Sequence, residues 1–189
     1  MAKRRRSSRS GNSRRTTVRR DASGHGWILV PPKSVRERSE DLDEVRTMIE
    51  EGEPDIAIDE LRWLLEGSSE MIEAHFLLGK LAVEVDNDLP LARGHFGFGY
   101  QIGMKALRAE KSPQPVPALH PANRTFFDAG RGLAWTLDAL GKKEMALEVV
   151  EHLLYCDPND PLNLGTWIDE IKTAGQQIVD VGSLFGPTS

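Results

Sequence analysis

Residues 94–103, with the sequence GHFGFGYQIG, are the part of this chain that most resembles a chemical site, because glycine-rich loops can hold phosphate groups. A phosphate loop follows a strand and opens a helix, and this segment does neither. Leu89-Pro90 predicts a helix start upstream, since proline is favoured in the first turn of a helix. The glycines therefore fall inside a predicted helix and weaken it, unless neighbouring helices pack closely against them. We interpret the segment as a packing surface; the alternative is a helix that frays or kinks near Gly97.

The histidines and the single cysteine have no spacing that favours catalysis or metal binding. The sequence has no H-x-x-x-H or H-E-x-x-H pair, and Cys156 has no second cysteine for a metal site or an internal disulfide. Cys156 is instead predicted to fill space near the end of a helix. No G-x-S-x-G segment indicates a nucleophilic serine. The sequence therefore predicts a protein that is not an enzyme and that has no cofactor and no metal site.

Helices must form the framework around any site, because apolar residues recur at steps of three and four, as in Ile56, Leu61 and Leu65. Strand signals are confined to the short segments WILV (residues 27–30) and QQIVDV (residues 176–181). No run of about 18 apolar residues is present, so we expect no membrane span. The lone cysteine fits a reducing compartment, which favours a cytoplasmic location.

Residues 140–160 have the sequence LGKKEMALEVVEHLLYCDPND, which predicts a turn, then a helix, then the end of that helix. Gly141 suits the left-handed backbone just past a preceding helix. Ala146 is small where two antiparallel helices approach closely, and Pro158 ends the helix because the residue before a proline avoids the α region. Gly52 and Ala57 repeat the pattern in residues 51–70. These features resemble the second helix of a tetratricopeptide repeat.

The resemblance implies an all-α fold, a right-handed α-α superhelix of three helical hairpins near residues 38–70, 72–106 and 127–160. A capping helix is expected from Leu162 to about Ala174. It also implies a concave groove lined by the first helix of each hairpin, suited to an extended or helical peptide with acidic and apolar residues. The predicted groove residues are Leu42, Arg46, Ile49, Phe76, Lys80, Val83, Arg131 and Trp135, with Glu73, Asp128 and Asp138 at the remaining positions.

Four segments flank or interrupt the predicted repeat domain of residues 38–176. Residues 25–37 predict an extended strap that docks on the first repeat or serves as a motif for a partner. The proline-rich insertion, about 109–123, is a lid, a binding segment or a cover for the side of the stack. Residues 177–189 form a tail that could dock in the groove of its own or a second copy. Residues 1–24 form a predicted disordered arm.

The helix that follows the insertion has a polar start in residues 120–132, HPANRTFFDAGRG. Asn123 or Thr125 is the expected capping residue, because such side chains accept hydrogen bonds from free backbone N–H groups. Alternatively, Asn123 and Arg124 reach a ligand at the mouth of the groove.

Charge divides the chain into two unequal parts. The first 20 residues have nine Lys and Arg and no acid, whereas the other 169 have 15 Lys and Arg against 29 acids. The arm is therefore interpreted as a solubilising tail, as a binding arm for nucleic acid, ribosome or another polyanion, or as a targeting signal. The basic residues of the arm are Lys3, Arg4, Arg5, Arg6, Arg9, Arg14, Arg15, Arg19 and Arg20.

Two functions follow from these features. The first is a non-enzymatic adaptor or scaffold that binds a protein or peptide in the groove. The alternative is a nucleic-acid- or ribosome-associated factor in which the arm binds the polyanion and the repeats recruit a partner. The expected location is cytoplasmic, or nuclear if the host is eukaryotic.

Overall fold

The computed structural model describes residues 14–173, and within this range the chain is mostly helical. The arm residues Lys3, Arg4, Arg5, Arg6 and Arg9 and the tail 177–189 lie outside the described residues. The elements are β1 Thr17–Arg20, β2 Trp27–Val30, α1 Lys33–Arg36, α2 Ser39–Glu50, α3 Pro54–Gly67, α4 Ile72–Glu84, α5 Leu89–Ala109, α6 Pro121–Ala139, α7 Lys143–Cys156 and α8 Leu164–Thr173. The expected all-α class is therefore confirmed at the level of secondary structure. None of the helices within residues 14–173 has the length and apolar character that a membrane span needs.

Helices that follow one another in sequence also pack against one another from α2 through α8. In addition, α4 contacts α6, although α5 lies between them in sequence. Two larger cores result. One is shared by α2, α3 and α4, and the other is built mainly from α5, α6, α7 and α8 with β2.

Glycines and prolines mark the helix ends, as the sequence predicts. Gly141 follows the end of α6 with a φ of +72°, and Gly52 follows α2 with a φ of +81°. Both are in the left-handed region, where a side chain is disfavoured. At the predicted start of α5, the Asp88 side chain accepts a hydrogen bond of 2.9 Å from the Leu91 N–H. Local chemistry therefore defines these ends.

The glycine-rich segment 94–103 lies inside α5, which is unbroken from Leu89 to Ala109. At Gly99, an added Cβ would lie 3.2 Å from the Ala129 Cβ on α6. At Gly103, an added Cβ would collide with the ring of Phe126. The packing interpretation is therefore confirmed, and the glycines allow α5 and α6 to approach closely.

The N-terminal part differs from the prediction. Residues 17–20 were expected in a disordered arm, but they pair with residues 27–30 as an antiparallel hairpin, with Val18 opposite Leu29. Strand β2 lies against α6 and the proline-rich insertion instead of on the first helices: the Trp27 N–H donates to the Pro115 carbonyl at 2.8 Å. Only the end of the strap, at Val35, packs against the α2–α4 core.

Asn123 holds the β2 strand of this hairpin against the start of α6. Its Oδ1 accepts from the Leu29 N–H at 3.0 Å, and its Nδ2 donates to the carbonyls of Trp27 at 3.0 Å and Pro117 at 2.9 Å. The predicted capping role is therefore wrong for Asn123. The residue that precedes α6 is His120, whose Nδ1 accepts from the Ala122 N–H at 3.1 Å. The alternative in which Asn123 reaches a ligand is also wrong, because Asn123 is fully buried.

Candidate functional site

A cavity of about 610 Å³ lies between α4 and α6, with further walls from α5 and α8. It is larger than the second cavity, of about 320 Å³, that lies beside Cys156. Its lining is mostly apolar and aromatic, with charged side chains among it. The lining residues are Phe76, Lys80, Val83, Glu84, Phe96, Asp128, Arg131, Gly132, Trp135 and Trp167.

The Phe96 side chain of α5 lies between two glycines on the two neighbouring helices. An added Cβ at Gly79 of α4 or at Gly132 of α6 would come within 2.7 Å of this ring. The ring therefore contacts the backbones of both helices directly, and it is only 5 % exposed. Its neighbour Phe76 lies with its ring centroid 6.0 Å away. Two phenyl rings thus form the base of the cavity.

Two tryptophans complete the aromatic lining. Trp135 of α6 is 48 % exposed, although the next residue, Thr136, is fully buried. Trp167 of α8 is partly buried against the second core, and it also contributes to the cavity wall. Exposed aromatic surface beside a buried aromatic base can hold an apolar group of another molecule, because binding removes that surface from water.

The charged side chains at the cavity form two ion pairs, and in each the charged atoms are almost 4 Å apart. Lys80 Nζ lies 3.7 Å from Glu84 Oε1, and Arg131 Nη1 lies 3.9 Å from Asp128 Oδ1. Burial raises the pKa of Asp128, whereas the nearby Arg124 and Arg131 oppose that rise. Both cations have substantially exposed side chains, and such exposed pairs contribute little to stability. A bound carboxylate could therefore take over Lys80 or Arg131 at small cost.

The structure brings together five of the eight predicted groove residues: Phe76, Lys80, Val83, Arg131 and Trp135 all line the cavity.

The three predicted groove residues on α2 lie elsewhere. Leu42 is only 5 % exposed and packs in the α2–α4 core, so its prediction as a groove residue is wrong. Ile49 is partly buried against the same core. Arg46 is exposed, and its Nε donates to Glu73 Oε1 at 2.9 Å. The physical reason is that Leu42 and Val45 form the inner face of α2, so the register assumed for this helix is rotated.

Sequence reasoning missed two aromatic residues of the cavity, Phe96 and Trp167. Phe96 lies in the glycine-rich segment 94–103, and the glycines that flank its ring, Gly79 and Gly132, come from two distant segments. Trp167 lies on the predicted capping helix. Its indole is the one large aromatic side chain of α8. The sequence therefore showed that α8 has an aromatic residue, but it did not show which neighbours that residue would contact.

Of the predicted arm, residues Arg14, Arg15, Arg19 and Arg20 are within the described part of the chain. Arg19 and Arg20 belong to β1, and the Arg20 guanidinium carbon lies 5.3 Å from the centre of the Trp27 ring. This distance suits a cation–π contact. The root of the arm is therefore a structured strand.

The described residues, 14–173, give little support for a metal site or for a nucleophilic cysteine. No group of three or more His, Cys, Asp or Glu side chains in this range could hold a metal ion. Cys156 is buried, as predicted. Burial and, to a smaller extent, the nearby Asp157 raise the pKa of its thiol to about 11. The thiolate that a nucleophile needs is therefore suppressed at neutral pH.

Comparison of the chain with protein-family models, with curated proteins and with solved structures found no match.

Proposed function

We propose that this chain is a non-enzymatic adaptor that binds a segment of another protein in the cavity between α4 and α6. The observation that supports this proposal best is the aromatic lining, because Trp135 and Phe76 leave apolar surface available beside paired, exposed charges. Aromatic anchors of this kind contribute most of the binding energy in many protein interfaces. The expected partner segment has an apolar anchor and at least one acidic residue.

The proposal includes a tetratricopeptide-like architecture. In support, α2 with α3, α4 with α5 and α6 with α7 each form a packed pair, followed by α8. Ala57 and Ala146, at the two positions where the resemblance requires a small residue, are both fully buried. In such an arrangement α4 and α6 are the first helices of adjacent hairpins, and the cavity is the part of the concave groove between them.

Trp135→Ala tests the adaptor function. Because this side chain is half exposed, we expect its removal to leave the helical circular dichroism signal unchanged and to abolish capture of the partner in affinity purification from the native host. Trp63→Ala is the matched control, since Trp63 is 50 % exposed and lies on α3, outside the cavity. Equal capture by the two variants would contradict the proposal.

The alternative function, a nucleic-acid- or ribosome-associated factor, is supported by the nine positive charges within residues 1–20. Such a cluster binds polyanions through release of counterions, so affinity falls steeply with salt. Replacement of Arg4, Arg5 and Arg6 by Gln should weaken binding to a single-stranded RNA probe and reduce its salt dependence. The adaptor function predicts no change in protein partners for the same variant. We propose a cytoplasmic location under either function.

A further inference from the structure

The C-terminal segment of the chain follows a helix that contributes to the cavity wall. Helix α8 places Trp167 in the cavity wall and ends at Thr173. Residues 174–189 follow, with the sequence AGQQIVDVGSLFGPTS. The chain therefore passes the cavity at Trp167, shortly before α8 ends and this segment begins.

The composition of this segment matches the occupant that the cavity requires. It has apolar side chains at Ile178, Val179, Val181, Leu184 and Phe185, and Asp180 is its one charged side chain. The aromatic rings of the cavity lining can contact the apolar side chains of the segment. For the carboxylate of Asp180, the lining offers the cations Arg131 and Lys80, whose side chains are 48 % and 44 % exposed. The segment and the cavity are therefore complementary in polarity, and the Asp180 carboxylate could replace Glu84 or Asp128 as the partner of one of the two cations.

The segment is also long enough. From Trp167 to Thr173 a helix rises about 9 Å, at ~1.5 Å per residue. A chain that turns back after Thr173 covers that distance with about three extended residues, at ~3.3 Å each. Residues 174–177 can therefore cover this distance with about one residue left for the turn, so that residues 178–185 can reach the level of Trp167.

We propose that residues 178–185 occupy the groove of their own chain and compete with the external partner. This inference rests on the proposed function, since it takes the cavity to be the binding groove. The segment acts as a built-in competitor, and an external partner binds only by displacing it.

The expected size of the competition follows from the tether. A short flexible link gives an effective concentration on the order of 1 mM. If the separate segment binds with a dissociation constant of about 100 µM, the tethered segment occupies the groove roughly 90 % of the time, and an external ligand binds about tenfold more weakly.

The test uses the full chain and a fluorescein-labelled synthetic peptide of residues 174–189 as the external ligand. Binding is measured by fluorescence anisotropy for the wild type, for Leu184→Ala/Phe185→Ala, and for the control Thr188→Ala/Ser189→Ala. We expect the first variant to bind the peptide about tenfold more tightly than the wild type, and the control to equal the wild type. Adding Trp135→Ala to the first variant should abolish binding.

Three results would overturn the inference. The first is equal peptide affinity, or no binding, for the wild type and Leu184→Ala/Phe185→Ala. The second is binding that survives Trp135→Ala, which would locate the peptide outside the groove. The third is a doubled mass of the wild type in light scattering that is lost in the tail variant, which would assign the segment to a second copy. None of these results changes whether Trp135→Ala loses the partner in affinity purification, so the two proposals fail separately.

Discussion

Replacement of His75 by Gln should remove an acid-sensitive part of the stability of this protein. His75 lies on α4, is 7 % exposed, and stacks on Phe98 of α5 with ring centroids 5.3 Å apart. Its Nε2 lies 3.3 Å from the Ser69 carbonyl oxygen, and its Nδ1 is buried without a hydrogen-bond partner. The imidazole is therefore adapted to the neutral form.

Burial and, to a smaller extent, the nearby His95 lower the pKa of His75 to about 4, whereas the Ser69 carbonyl opposes the shift. The pKa of His95 is itself lowered by burial and by Arg62 of α3. The unfolded chain has a His75 pKa of about 6.5, so it binds more protons than the folded chain between about pH 6.5 and pH 4. The contribution of His75 to the unfolding free energy is therefore fully present above about pH 6.5 and is lost as the pH decreases towards about 4.

The magnitude follows from the difference of about 2.5 pKa units, which corresponds to roughly 3 kcal/mol. The assay is urea unfolding of the wild type and His75→Gln at pH 7 and pH 4. Carboxylates that titrate in the same range affect both proteins, so they cancel in the difference between the two unfolding free energies. That difference should shift by about 3 kcal/mol in favour of the variant on acidification.

His152→Gln, at an exposed position on α7, is the control for loss of a histidine. The reasoning is refuted if the difference between the wild type and His75→Gln is the same at both pH values.

Two further predictions concern packing and buried polar groups. Gly132→Ala places a methyl group against the Phe96 ring and should lower the unfolding free energy by about 1–3 kcal/mol in chemical denaturation, whereas Gly94→Ala, with open space around it, should raise it by up to about 1 kcal/mol. Asn123→Ala leaves the buried Leu29 N–H without its acceptor and should cost roughly 1–3 kcal/mol. Hydrogen exchange should then accelerate at Leu29 more than in α3, and uniform exchange would contradict the role of Asn123.

The sequence predicted those features that depend on neighbouring residues. The ends of the helices follow from such local signals, for example the left-handed Gly141 after α6 and the start of α5 at Leu89-Pro90. The resemblance to a tetratricopeptide repeat implied that Trp135 lies on the groove side of its helix, and the side chain is exposed there. Each of these signals lies within one or two helical turns of the residue that it determines.

Features that depend on distant segments were not predictable. The sequence TVRR of residues 17–20 has one apolar residue, and its strand forms by pairing with residues 27–30, which Asn123 in turn holds against α6. Leu42 is buried because α3 and α4 cover that side of α2, which a repeat register alone does not specify. Trp167 reaches the cavity through the packing of α8 on α7.

Phe96 also occupies the junction between the two halves of the molecule. With Ala82 and Ala92 it forms a small separate cluster between the α2–α4 core and the core of the later helices. A segment bound above this ring would touch α4 on one side and α6 on the other. Occupancy would therefore add a further connection between the two halves, which α4 already joins through its packing on α5 and α6, and it should make the two halves unfold more cooperatively.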